Sequence, residues 1–250
     1  KGEFHIAANL PGDNDAQAVA INNAGEFVGF STGPHGMRAC FWNRQRQPRD
    51  LGVLPGGTMS KAMDINNRGD VVGYSSTPKG NRAFLWSPKT GMQDLGLLPT
   101  GTSSEAFAIN DAGVVVGQSF GASGMRAFIW TKQLGMRDLG VLRRGSYSRA
   151  TAINNRGEVI GMSSTDKGEK PFVWNSRDGM KDLSALVEGT FPLSEAHAIN
   201  DKGQIVVSGM DMTSGHHNLV QGGSLAGKSD GTHGDDSPKY FYLLTPTRKR

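Results

Sequence analysis

The four tryptophans of this chain, Trp42, Trp86, Trp130 and Trp174, stand 44 residues apart, and nothing else in the sequence limits its fold so tightly. Asp50, Asp94, Asp138 and Asp182 keep the same interval, as do Leu10, Leu54, Leu98, Leu142 and Leu186. A fixed period of this size means one supersecondary unit copied and stacked, each copy burying its apolar face against its neighbours. Apolar residues alternate with a spacing of two rather than three and a half, which excludes coiled coils and helical repeats.

Five copies of one segment can be written out: Ala18 to Asn22, Ala62 to Asn66, Ala106 to Asn110, Ala150 to Asn154 and Ala196 to Asn200, all ending Ala-Ile-Asn or Asp-Ile-Asn. A glycine follows three residues later in each. Asn tolerates left-handed backbone angles and Gly adopts them freely, so the segment predicts a β-hairpin. The second strand begins at once, with Phe27-Val28-Gly29-Phe30 and its copies. Its internal Gly predicts a close backbone approach. A third strand holds the Trp, as in Phe84-Leu85-Trp86. A fourth is predicted over Asp-Leu-Gly, as in Asp94 to Gly96. Four short antiparallel strands per repeat, with no helical period, make a propeller blade.

Residues 4–12 align with the fourth-strand segment, and Tyr242 to Pro246 align with the third-strand segment Phe84 to Pro88. The last copy therefore lacks a fourth strand and the N-terminal segment supplies one. This predicts an all-β chain, a five-bladed β-propeller of four-stranded antiparallel blades. Its ring is closed by the N-terminal strand joining the C-terminal blade, which removes an exposed edge. The repeats run over roughly 13–56, 57–100, 101–144, 145–190 and 191–250 plus 1–12, in a single domain.

Lys and Arg exceed Asp and Glu by only 27 to 23, and the excess is scattered apart from the terminal Arg248-Lys249-Arg250. That is not the dense basic stripe of a nucleic-acid surface, so no nucleic-acid partner is expected. No apolar run is long enough to span a membrane as a helix. No signal peptide is visible, and the opening Lys1-Gly2-Glu3 without Met suggests a trimmed or mature form. The single Cys40 takes the position of Phe84, Phe128 and Phe172 and reads as a core residue.

The pattern Ala-Ile-Asn-x-x-Gly-x-Val-Val-Gly, then Ala-Phe-(Leu/Ile)-Trp, then Gly-Met-x-Asp-Leu-Gly-x-Leu-Pro-x-Gly resembles the bacterial HAF repeats, an extracellular-repeat family. The resemblance covers the chain apart from one insertion. It implies a β-propeller that is secreted or displayed on a bacterial cell surface, and it implies no chemistry. The name-giving His of His-Ala-Phe is replaced by Arg38, Arg82 and Arg126, and the fourth copy reads Lys170-Pro171-Phe172.

In an up-and-down blade the loop after the second strand and the link between blades share one face, and the two hairpins share the other. Two length changes fall on the first face: two extra residues within Val187 to Leu193, and a long insertion over 210–238 in the fifth copy. Repeat scaffolds carry function where they depart from repetition, although a tolerated surface excursion gives the same pattern. The candidate ligand-binding residues are Arg38, Arg82, Arg126, Arg143 and Arg144 on this face, with His216, His217 and His233 of the insertion. Arginine forks suit carboxylate, sulfate or phosphate groups. The competing reading pairs them, and Arg149, with acids such as Glu105, Glu169 and Glu195. The insertion's His residues and Asp230, Asp235 and Asp236 match no metal-ligand spacing, so no metal and no cofactor is expected. The repeated Trp and Asp read as core and turn residues rather than a sugar platform or catalytic acids. No nucleophile elbow or phosphate loop is present, and Asp64 is a lone acid on an innermost strand, not a pair. The sequence thus favours a monomeric, non-catalytic module recognising a glycan or acidic polymer. A scaffold for a surface protein and a glycosidase or lyase follow in that order.

Overall fold

The computed structural model describes residues 6–187, 192–210 and 239–246. Among them are nineteen strands, one short 3-10 turn and no α-helix. The chain divides into two compact units, Lys1–Asp138 and Leu139–Arg250. The first holds three four-stranded sheets: β1 (Asp15–Ile21), β2 (Phe27–Gly33), β3 (Gly36–Trp42) and β4 (Pro48–Asp50); β5 (Ser60–Ile65), β6 (Val71–Ser75), β7 (Arg82–Ser87) and β8 (Gly91–Asp94); β9 (Gly101–Ile109), β10 (Val115–Gly121), β11 (Gly124–Thr131) and β12 (Gly135–Asp138). The second holds β13 (Ser148–Ile153), β14 (Val159–Thr165), β15 (Gly168–Asn175) and β16 (Gly179–Asp182), then a three-stranded sheet of β17 (Leu193–Ile199), β18 (Ile205–Met210) and β19 (Lys239–Leu244). Every sheet is antiparallel in sequence order.

Neighbouring sheets within a unit share their core. Val28 and Ala39 of the first sheet pack with Ala62, Ile65, Val71, Phe84 and Trp86 of the second. In the second unit Ile160 packs with Leu193, Ala196, Ile205 and Val207. Phe84, Phe128, Phe172 and Cys40 are wholly buried, and burial pushes the Cys40 thiol up to about 12. Trp42 and Trp86 are buried, Trp42 stacked on Phe27 at 5.1 Å, whereas Trp130 and Trp174 are half-buried.

The repeated Asn explains the hairpin. Asn66 Oδ1 accepts from the amides of Arg68 and Asp70, both at 3.0 Å, and Gly69 completes the turn at φ 78°. Its Nδ2 donates to Asn110 O of the next sheet at 3.1 Å. Asn22 does the same toward Asn66 O, and Asn154 toward Asn200 O. Only a side-chain amide has both the acceptor and the donors that this double role needs. The repeated Gly of the second strand is equally specific. A Cβ at Gly73 would lie 2.0 Å from Lys61 O, because the facing strand bulges between Ala62 and Asp64. Val207 holds this place in the last sheet, where β17 is irregular twice, between Leu193 and Glu195 and between Ala196 and Ala198.

One expectation is corrected. The fourth strands stop at the Asp instead of running through Asp-Leu-Gly. The carboxylate turns the chain there: Asp50, Asp94 and Asp182 accept the amides of Gly52, Gly96 and Ser184 at 2.7–2.8 Å. After Asp182 the chain enters the 3-10 turn Leu183–Ala185.

Among the described residues the sheet of β17–β19 is three-stranded, and the N-terminal strand expected to complete it is not seen there. Residues 6–12 form no strand, and residues 1–5 and 247–250 lie outside the described residues, so no closed sheet is shown. What residues 6–12 do is dock on the first sheet. Leu10 N donates to buried Ser31 Oγ, as Leu54 N does to Ser75 Oγ and Leu142 N to Ser163 Oγ. Trp42 Nε1 donates to Ala8 O at 2.7 Å.

Candidate functional site

In each four-stranded sheet the loop between second and third strands lies at the same end as the link that follows the fourth strand, because the strands alternate in direction. The cations that open the third strands are fastened there. Arg38 Nη1 donates to Thr58 O in the following link, and Arg82 Nη1 to Thr102 O at the start of β9 in the next sheet. Arg82 Nε lies 3.8 Å from Asp94, and Arg126 Nε 3.7 Å from Asp138. The Arg82 and Arg126 side chains keep only 13% and 20% of their surface exposed. Their role is to tie one strand to its neighbour and, for Arg38 and Arg82, one sheet to the next. The acids they meet are the repeated Asp residues rather than Glu105 or Glu169.

Of the acids weighed as partners, Glu105 and Glu169 are engaged otherwise. Glu105 accepts from Asn81 Nδ2 and Gln118 Nε2, at 3.0 and 2.9 Å. With burial, its charge raises the pKa of Tyr74. Glu195 does pair with Arg149, at 3.5 Å. Asp64 bridges two innermost strands: Oδ1 accepts Ile65 N at 2.8 Å and Oδ2 accepts Ile109 N at 2.9 Å. Burial outweighs those two bonds and lifts its carboxyl to about 6.

Arg143 and Arg144 differ from the other cations because of the turn that carries them. The links Leu10 to Asp13, Leu54 to Gly57, Leu98 to Gly101 and Leu142 to Gly145 are all closed by a bond from the fourth amide to the first carbonyl, at 2.8–3.0 Å. Gly12, Gly56, Thr100 and Arg144 have φ of 87°, 74°, 64° and 63°. Positive φ at the third residue alone is the type II pattern, which favours Pro at the second position and Gly at the third. Three copies carry that Pro, as Pro11, Pro55 and Pro99. The fourth carries Arg at both central positions while keeping its anchors. Leu142 stays buried, and a Cβ at Gly145 would lie 2.2 Å from Ser164 O.

Both arginines are exposed. Arg144 Nη1 donates to Asp166 at 2.8 Å, across to the β14–β15 hairpin. Three residues on, Tyr147 Oη donates to Glu169 Oε1 at 2.5 Å. That bond, followed by partial burial and the nearby carboxylate charge, raises the Tyr147 pKa. Tyr147 and Asp166 escaped the sequence reading. A signal existed for the first, since Tyr147 stands where the other copies have Asp15, Met59, Ser103 and Leu193. His216, His217 and His233, the 210–238 insertion, and much of the two-residue length change lie outside the described residues. Among the described residues no group of three His, Cys, Asp or Glu is placed to hold a metal, and no helix is long and apolar enough to cross a membrane.

Comparison with known proteins bears on the fold. The structure of TolB from Acinetobacter baumannii matches with a TM-score of 0.55 and 12% identity, over 79% of this chain and 52% of the TolB chain. Prolyl oligopeptidase B from Galerina marginata, bound to a 35mer hydrolysis and macrocyclization substrate, matches with a TM-score of 0.51 and 9% identity, over 80% of this chain and 30% of its own. The chain therefore has a β-propeller fold. It spans about half the length of TolB and less of the oligopeptidase. At these identities the likeness carries fold alone. No family model and no curated protein matches the chain.

Proposed function

We propose that the chain is a non-catalytic recognition module, and that the turn Leu142 to Gly145 is part of the surface that binds an anionic or glycan ligand. One observation carries this reading. Arginine has replaced both residues that the turn's backbone favours, and one of the two sits in the left-handed region. A side chain there costs on the order of 1 kcal/mol relative to glycine. The neighbouring copies show that the link needs neither arginine in order to form. Two adjacent exposed guanidinium groups, one of them at a left-handed position, support a ligand that selects them.

The propeller is, in the same proposal, a closed five-bladed ring. Leu10 docks on Ser31 as the other links dock on their serines, and among the described residues no strand pairs with β19 on its side away from β18. Removing residues 1–12 then destabilises the chain far more than removing residues 248–250. The resemblance to HAF repeats supports an extracellular or cell-surface bacterial location.

The test is retention on immobilised polygalacturonate, with neutral dextran as control. The native chain is retained, and retention weakens as salt screens the attraction. An Arg143→Ala, Arg144→Ala variant that melts like the native chain elutes with the dextran profile. Equal retention of both chains removes this turn from the binding surface.

A further inference from the structure

The turn does not stand alone, and its surroundings limit what it can bind. Two contacts join the segment 142–147 to the hairpin that follows β14. Arg144 reaches Asp166 at 2.8 Å, and the Tyr147 phenol reaches Glu169 at 2.5 Å. The patch thus presents two arginines, two carboxylates and a partly exposed aromatic ring, in one unit and on two adjacent segments.

We infer that the ligand is a sugar bearing a carboxylate, a uronic acid within a polysaccharide, held by Arg143 and Arg144 at its acid group and by Tyr147 against its ring. This rests on the recognition reading above and narrows it. A polyphosphate packs its negative charges more closely than one per sugar ring and has no hydrophobic face. It meets the Asp166 and Glu169 carboxylates within bonding distance of the groups it needs, and like charges repel. A uronic acid brings one charge and several hydroxyls per ring. Its carboxylate fits the planar fork of arginine. Its hydroxyls are donors, which carboxylate acceptors satisfy. Its C–H face suits an aromatic side chain with a polar tip. Mixed charge around an aromatic ring is wasteful for capturing a bare anion and suited to an acidic sugar.

The experiment is calorimetric titration of the full chain with three probes: oligogalacturonate, the same oligomer methyl-esterified, and sodium polyphosphate. Oligogalacturonate is expected to bind at least tenfold more tightly than either of the others, because esterification removes the charge and polyphosphate lacks the ring. Tyr147→Ala is expected to lower affinity for oligogalacturonate about tenfold and leave any polyphosphate binding unchanged. Tyr147→Phe, which keeps the ring, stays within about threefold of the native chain. Three results overturn the inference: polyphosphate binding as tightly as oligogalacturonate, ester and acid binding alike, or Tyr147→Ala without effect. If the last occurs while Arg143→Ala, Arg144→Ala abolishes binding, the recognition surface stands and only its sugar ligand falls. If none of the probes binds, both proposals fall.

Discussion

Restoring the turn that the other repeats carry, by Arg143→Pro with Arg144→Gly, is expected to make the protein more stable. Pro at a position whose backbone already suits it adds about 0.4–1 kcal/mol by restricting the unfolded chain. Three of the four comparable links show that the position needs no N–H donor. Glycine at residue 144 relieves on the order of 1 kcal/mol of left-handed strain at φ 63°. It returns roughly half of that through the greater freedom of glycine when unfolded. The Arg144–Asp166 pair is lost, but its side chains are 66% and 44% exposed, and such pairs contribute only a few tenths of a kcal/mol. The net gain is about 1 kcal/mol. Urea denaturation followed by circular dichroism reads it as a midpoint raised by roughly 0.3–0.5 M, for a slope of about 2–3 kcal/mol/M. A variant destabilised by 1 kcal/mol or more would show that the arginines support the turn. Retention of the two arginines would then need no ligand to explain it.

Asp64 makes stability depend on pH. Its folded-state pKa is raised from 3.8 to about 6, so its protonated form favours folding. That contribution, of order 3 kcal/mol, is complete below about pH 4 and is lost as pH rises through about 6. The stability of the native chain relative to Asp64→Ala therefore increases on acidification from pH 7.5 to 4.5, and a flat difference refutes the assignment. Replacing Asn66 by Asp removes the donor to Asn110 O and sets a carboxylate against that carbonyl, so a loss of about 2 kcal/mol is expected in thermal melts. Gly73→Ala drives a methyl to 2.0 Å from Lys61 O and costs on the order of 3 kcal/mol. Gly91→Ala, with open space but φ 67°, costs about 1 kcal/mol; equal losses at both glycines would contradict the close-approach argument.

Repetition made the strands legible because each copy repeats the same local chemistry. Asn22, Asn66, Asn110, Asn154 and Asn200 mark hairpins whose turns and inter-sheet bonds both depend on the amide. Gly29 and Gly73 announce a backbone collision that the bulge creates. The Asp-Leu-Gly segment misled because Asp, Leu and Gly alternate like a strand, while the carboxylate in fact captures the amide two residues on. Arg38, Arg82 and Arg126 were visible as cations, and pairing was weighed for them, but with other partners. Their partners, Thr58 O, Thr102 O, Asp94 and Asp138, come from a neighbouring strand or the link that follows it, which spacing alone does not bring together. The reverse holds for Arg143 and Arg144: the missing Pro and Gly were readable from the alignment of the copies. The ligand role proposed for them rests on the positive φ of Arg144 and on the Arg144–Asp166 and Tyr147–Glu169 contacts beside it.

Amide hydrogen exchange with and without saturating oligogalacturonate reports directly where the proposed ligand touches. Slower exchange is predicted in peptides covering Leu142 to Arg149 and Ser164 to Lys170, with the hairpins at Asn22, Asn66 and Asn154 unchanged. Protection that misses residues 142–149 and appears at those hairpins would put recognition on the opposite ends of the sheets and contradict the account.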